Sequence, residues 1–291
     1  MIIEAAFLTL PEFLETSLAR RHVREATVTH SMATAVLAEL YGRSVPHPAQ
    51  HVVTEKRYAA NDLQSGYHVD LYVDLSGAVP RPELMAGYGY RPHCWIEVKT
   101  FVRSGKPAAR RRSDDIGRII RDLLRVCLFP KELQGAHREN ARFLLMVGTE
   151  SPGKFWGAGD PRSWIFSLCT PGQHSIEVPV KQLCTTSVRG IGDNAEGIPV
   201  PTIELEVNNL VFRPDQSAVS GYSQFWGSLS RIISYKIAGD DWSVSYEDRA
   251  GSQWSAEQNF ALSRARKSVG RFLARHNNRL QRSVGARDAK E

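Results

Sequence analysis

The chain has 291 residues, 42% of them hydrophobic and 23% charged. That balance excludes a disordered or low-complexity protein and allows one large domain or two modest ones around a sizeable core. The formal charge of +6 favours an anionic partner, nucleic acid being the commonest, without specifying a fold.

The N-terminus, Met1-Ile2-Ile3-Glu4, lacks a basic segment followed by a long apolar stretch, so no signal peptide is expected. Pro11 is expected to begin a helix carrying Phe13, Leu14 and Leu18. A second helix is predicted from about Arg24 to Tyr41. Its apolar residues Val28, Met32, Ala35, Val36 and Leu40 recur at three- and four-residue steps, and Gly42 stands at its C-cap. Val52 to Ala59 reads as a first strand. His68 to Leu75 is the clearest strand in the chain: Val69, Leu71, Val73 and Leu75 should face one way, and Asp70, Tyr72 and Asp74 the other. The Gly- and Pro-rich stretch Ser76 to Pro92 reads as a long loop. Cys94 to Phe101 is a third strand.

A basic loop follows, with Lys106, Arg110, Arg111 and Arg112. Then comes a helix from about Ser113 to Leu128, with Ser113 or Asp114 as N-cap and an apolar stripe through Ile116, Ile119, Ile120, Leu123, Leu124 and Cys127. Pro130 stops it, and Ala141 to Gly148 is an apolar strand. In the second half, Trp164 to Cys169, Ser175 to Val178 and Thr202 to Phe212 read as strands, and Ala256 to Leu280 as an arginine-rich helix. No apolar run is long enough to span a bilayer. The chain divides into residues 1–150, a core with N-terminal helices, and residues 151–291, further strands and a basic helix packed on the same core. The four cysteines, Cys94, Cys127, Cys169 and Cys184, form no C-x-x-C pair. They read as reduced thiols of a cytoplasmic protein rather than as zinc ligands.

The chemistry centres on Ile96-Glu97-Val98-Lys99. In a strand Glu97 and Lys99 project together, while Ile96 and Val98 enter the core on the opposite face. A neighbouring strand that presents Asp70 would bring a second carboxylate beside Glu97. Two carboxylates and a backbone carbonyl make a hard oxygen site suited to Mg²⁺ or Mn²⁺. Such an ion polarises a phosphate oxygen and acidifies bound water, and Lys99 would orient that water or steady the charge developing on the phosphate. An isolated E-x-K on an exposed strand would be an ordinary surface pair. The apolar flanks, the earlier Asp70 strand and the α-β-β-β-α-β element order argue otherwise.

This combination resembles the PD-(D/E)XK nuclease superfamily, the restriction-endonuclease-like fold, over roughly residues 24 to 150. The resemblance implies a mixed α/β protein whose central sheet is flanked by helices, with a C-terminal extension. It gives Asp70 the first acidic role, Glu97 the second with the Val98 carbonyl as a further ligand, and Lys99 the lysine role. Many members add a glutamate from the helix before the sheet, which makes Glu25 the candidate. Glu39 lies on nearly the same face, but it also suits a pair with Arg43. Val69 stands where the motif has proline. The activity implied is metal-dependent hydrolysis of phosphodiester bonds, of DNA more readily than RNA. The alternative is an inactive module of the same fold that binds nucleic acid or a protein partner. Paired cuts often need two active sites, which leaves room for a homodimer. Phosphate contacts are expected from Arg110, Arg111, Arg112 and Arg118, with Arg121 and Arg125 on the same helix. The C-terminal stripe Arg264, Lys267, Arg271 and Arg275 is the second basic surface. Trp226, Trp242 and Trp254 are read as core residues more readily than as base-stacking platforms.

Overall fold

The computed structural model describes residues 1–18, 24–58, 67–79, 82–86, 89–101, 108–130, 140–148, 164–180, 200–213, 225–248 and 261–273. Lys106, Cys184, Trp254 and Arg275 lie outside them, as do the side chains of Arg110, Arg111 and Arg112. Helices α1 (Ile2–Leu18) and α2 (Glu25–Gly42) lead into strands β1 (Val52–Arg57) and β2 (His68–Asp74). After a short α3 (Pro82–Met85) come β3 (His93–Phe101), α4 (Ala108–Leu128) and β4 (Asn140–Gly148). The second half supplies α5 (Trp164–Leu168), β5 (Gly172–Val178), β6 (Thr202–Phe212), β7 (Trp226–Ala238) and β8 (Ser243–Glu247). Residues 261–273 form a last helix, α6.

All eight strands join one sheet, in the order β1-β2-β3-β4-β7-β6-β5, with β8 also on β7. Every pairing is antiparallel except β3 with β4. The parallel pair requires a crossover, and α4 provides it. The chain is thus a mixed α/β protein, with a mostly antiparallel open sheet flanked by helices. Strand β4 is buried along all nine residues, as its unbroken apolar run requires of a strand covered on both faces.

Two cores lie on the two faces. On one, α1 and α2 pack Phe7, Leu14, Met32 and Val36 against Leu71, Val73, Ile96, Val98 and Phe143. On the other, α4, α5 and α6 pack Ile119, Leu123, Ile165 and Val269 against Trp95, Phe101, Leu144 and Met146. Among the described residues no helix is long and apolar enough to cross a membrane.

Several sequence expectations need correction. Helix α1 begins at Ile2 and runs through Pro11 rather than starting there. Gly42 is the last helical residue of α2, and Arg43 is its C-cap. Helix α4 starts at Ala108, so Arg110, Arg111 and Arg112 stand on a helix and not in a loop, and neither Ser113 nor Asp114 is its N-cap. Residues 164–168 are helical, not a strand; a short apolar run does not discriminate the two by periodicity. Strands β7 and β8 were not anticipated. Val69 packs with Tyr72 on the α4 face, apart from Leu71 and Val73. The alternation of β2 therefore breaks at Asp70.

Candidate metal centre

That break has a local cause. The ladder between β2 and β3 ends at Leu71–Ile96, one step short of pairing Asp70 with Glu97. On the other flank, Glu55 stands in line with Asp70 but adopts a φ of 54° and takes no place in the β1–β2 ladder, a costly conformation for a residue with a side chain. Glu55 itself is exposed. Asp70 is thereby freed from both neighbours. Its carboxylate closes the opening on one side, where Oδ2 accepts the Val98 N–H at 2.7 Å.

Glu97 and Lys99 project from β3 toward α4, and both are buried. Tyr58, just beyond β1, donates to Glu97 Oε1 at 2.7 Å. Arg125 of α4 reaches the same carboxylate through Nη2, 2.9 Å from Oε1 and 3.2 Å from Oε2. The same Nη2 also donates to the carbonyl of His68. Lys99 Nζ donates to Glu25 Oε2 at 2.9 Å and lies 2.8 Å from Asp122 Oδ2. Asp122, itself wholly buried, also takes Arg125 Nη1 at 3.2 Å, and Arg121 Nε lies 3.4 Å from it. Helices α2 and α4 cover opposite faces of the sheet, so Lys99 ties the two layers together.

The electrostatics follow from burial. The Glu97 carboxyl is pushed well above the usual carboxylate range, first by loss of water and then by the charge of Asp122, against which Arg125 works. Glu25 is also raised, by burial in excess of what Lys99 restores. For Lys99 burial alone would lower the ammonium, but the carboxylates of Asp122 and Glu25 outweigh it and hold it above its ordinary value. Tyr58 is raised by burial and by Glu97, so it remains a donor.

The structure thus brings Asp70, Glu97, Lys99 and Glu25 together, and adds Tyr58, Asp122 and Arg125. Asp122 could have been noticed in the sequence. It stands three residues after Ile119, on the apolar stripe of α4, where a lone carboxylate asks for a buried cation. Arg125, expected at phosphates, is engaged with Glu97 instead. Arg118 is exposed on the same helix. Glu39 takes the other course foreseen for it, pairing with Arg43 at 3.2 Å. On α6, Arg264, Lys267 and Arg271 are all exposed, while Leu262, Ala265, Val269 and Phe272 are buried. Arg264 is paired with Asp241 at 2.8 Å. Trp226 and Trp242 are core residues, and Cys94, Cys127 and Cys169 are buried free thiols.

The donor set is all oxygen, and carboxylates outnumber the cations among them, which suits a hard divalent ion in chemistry and in charge. The side chains do not yet converge on one point. Among the described residues no three His, Cys, Asp or Glu side chains are grouped to hold an ion. Each carboxylate is drawn to another partner: Glu97 to Arg125, Asp122 and Glu25 to Lys99, Asp70 to a backbone amide. Comparison with protein-family models, curated proteins and solved structures finds no match to the chain.

Proposed function

We propose that this chain is a Mg²⁺- or Mn²⁺-dependent nuclease of the PD-(D/E)XK type, hydrolysing phosphodiester bonds in DNA. One observation carries the reading. Glu25, Asp70, Glu97 and Lys99, contributed by α2, β2 and β3, gather where β2 and β3 part. They do so on an α-β-β-β-α-β element order in which β3 and β4 run parallel, an order that supports the restriction-endonuclease-like reading. Asp70 and Glu97, with the Val98 carbonyl and Glu25 beside them, would hold the ion, which supplies an acidified water and a polarised phosphate. Lys99, kept charged by Asp122 and Glu25, serves as a fixed positive charge against the phosphate rather than as a base. Arg118 and the exposed face of Arg264, Lys267 and Arg271 supply phosphate contacts along the substrate, with the segment of Arg110, Arg111 and Arg112 adding charge nearby in the chain. A cytoplasmic location belongs to the same reading.

The test is cleavage of single- and double-stranded DNA and RNA with Mg²⁺ or Mn²⁺. Glu97→Gln and Lys99→Ala should each slow it by at least about a hundredfold. Equal cleavage by the wild type and both variants would remove the mechanism. A second reading, a nuclease-fold module without turnover, is favoured by the occupation of Glu97 by Arg125 and Tyr58. Salt-sensitive DNA binding with no cleavage, indifferent to Glu97→Gln, would select it.

A further inference from the structure

We propose that Arg125 is a competing counter-ion, whose guanidinium holds the position on Glu97 that a divalent cation must take and which has to leave before the ion can bind. The inference rests on the nuclease reading above and adds a residue to it. Three observations support it. Arg125 Nη2 lies within hydrogen-bond reach of both oxygens of Glu97, the carboxylate with the least access to water in the cluster after Asp122. The guanidinium has a second anchorage that does not depend on Glu97, through Asp122 Oδ1 and the His68 carbonyl. Released from Glu97, it therefore stays beside the site rather than crossing into solvent. The clasp is also imperfectly made, since the buried Arg125 Nε finds no hydrogen-bond partner among the described residues. A buried polar atom left so is costly, which lowers the barrier to exchanging this arrangement for another.

The physical rule is one of competition for a single buried carboxylate. Two positive groups cannot both sit against it at ion-pair distance without repelling each other. The apparent affinity for the ion is then the intrinsic affinity multiplied by the fraction of molecules in which Arg125 has let go. Tyr58 does not compete in this sense. It is neutral, and its bond to Oε1 leaves Oε2 open to the ion.

The experiment is a titration of the full chain with Mn²⁺ alone, followed by calorimetry and by the electron-spin signal of free Mn²⁺. Arg125→Gln should bind Mn²⁺ at least about tenfold more tightly than the wild type. Arg125→Lys, which keeps the positive charge, should stay near the wild type. Asp70→Asn should abolish binding in either background. A folded Arg125→Gln with wild-type or weaker affinity overturns the inference, while a wild type that binds Mn²⁺ and loses it in Asp70→Asn leaves the nuclease reading standing. Absence of Mn²⁺ binding in every variant overturns both. A wild type that binds nothing beside an Arg125→Gln that does supports the inference most directly. Should Arg125→Gln fail to fold, the wild type decides alone: the Arg125 Nε–H resonance should shift in step with Mg²⁺ occupancy, and one that stays fixed while Mg²⁺ binds overturns the inference.

Discussion

Two clusters of buried charge are built into this molecule, and they are balanced differently. In one, Arg91 and Arg231 share Asp248, with Arg91 in close contact with Oδ1 and Arg231 Nη2 2.7 Å from Oδ2, while Arg231 Nη1 lies 3.5 Å from Glu4. Two arginines, and the N-terminal ammonium 3.8 Å from Glu4, meet two carboxylates, and the cluster ties α1, β7, the approach to β3 and the end of β8. In the other, Glu25, Asp70, Glu97 and Asp122 face Lys99 and Arg125, with Arg121 at the rim. Acid stays in excess even when Arg121 is counted. A set whose carboxylates are fully matched by cations needs no further cation from outside and acts as a staple. A set that does not is most stable when something positive joins it, which is the condition for a binding site.

The sharpest way to break the comparison is Asp248→Ala. It strands two arginines in a buried place and should cost roughly 3–5 kcal/mol in urea unfolding, as removal of one partner from a buried ion pair does. It should leave Mn²⁺ affinity unchanged, and a loss of Mn²⁺ binding would show that the two clusters are one unit. Next in size is the response to the ion itself. At a hundredfold excess over its Kd, Mn²⁺ should stabilise the wild type by about 2.7 kcal/mol and Asp70→Asn not at all. Asp70→Asn should by itself cost only about 1 kcal/mol, since the amide oxygen can still accept the Val98 N–H. Equal stabilisation of both proteins in a thermal melt would place the ion elsewhere. The smallest effect belongs to the helix-surface pair. Glu39→Ala should cost about 0.3–0.5 kcal/mol, and a change in Mn²⁺ affinity there would return Glu39 as the rival of Glu25.

The sequence discloses the acid-rich cluster only in part, for physical reasons. Glu97 and Lys99 are legible because a strand with period two and apolar flanks fixes their common face. Thr202–Phe212 is legible for the same reason, since its alternation matches a sheet with one wet side. Asp122 left a signal, a carboxylate on the apolar stripe of α4, but its partners, and the role of Arg125, depend on how α4 is set over β3, a tertiary fact. Read along the helix, Arg125 looks like one more cation among Arg118 and Arg121. Strand β7 was hidden by composition. Its Ser228, Ser230 and Arg231 are buried but look like loop residues. The serine hydroxyls are satisfied by the Leu168 carbonyl of α5, a partner sixty residues away in the chain. The break at Asp70 has no sequence signal either, because Val69-Asp70-Leu71 continues the alternation in one dimension while the backbone departs from it in three.

Strand β7 has a consequence for biogenesis. It zips onto β4 with its first half and onto β8 with its second, yet it is synthesised long after β4. During translation, the nascent half-sheet therefore presents a bare, greasy border along Asn140–Gly148, the kind of edge that recruits stray strands. Emergence of the late strand from the ribosome seals that border, so the residues that carry the acidic cluster depend for safe assembly on a segment that carries none of it.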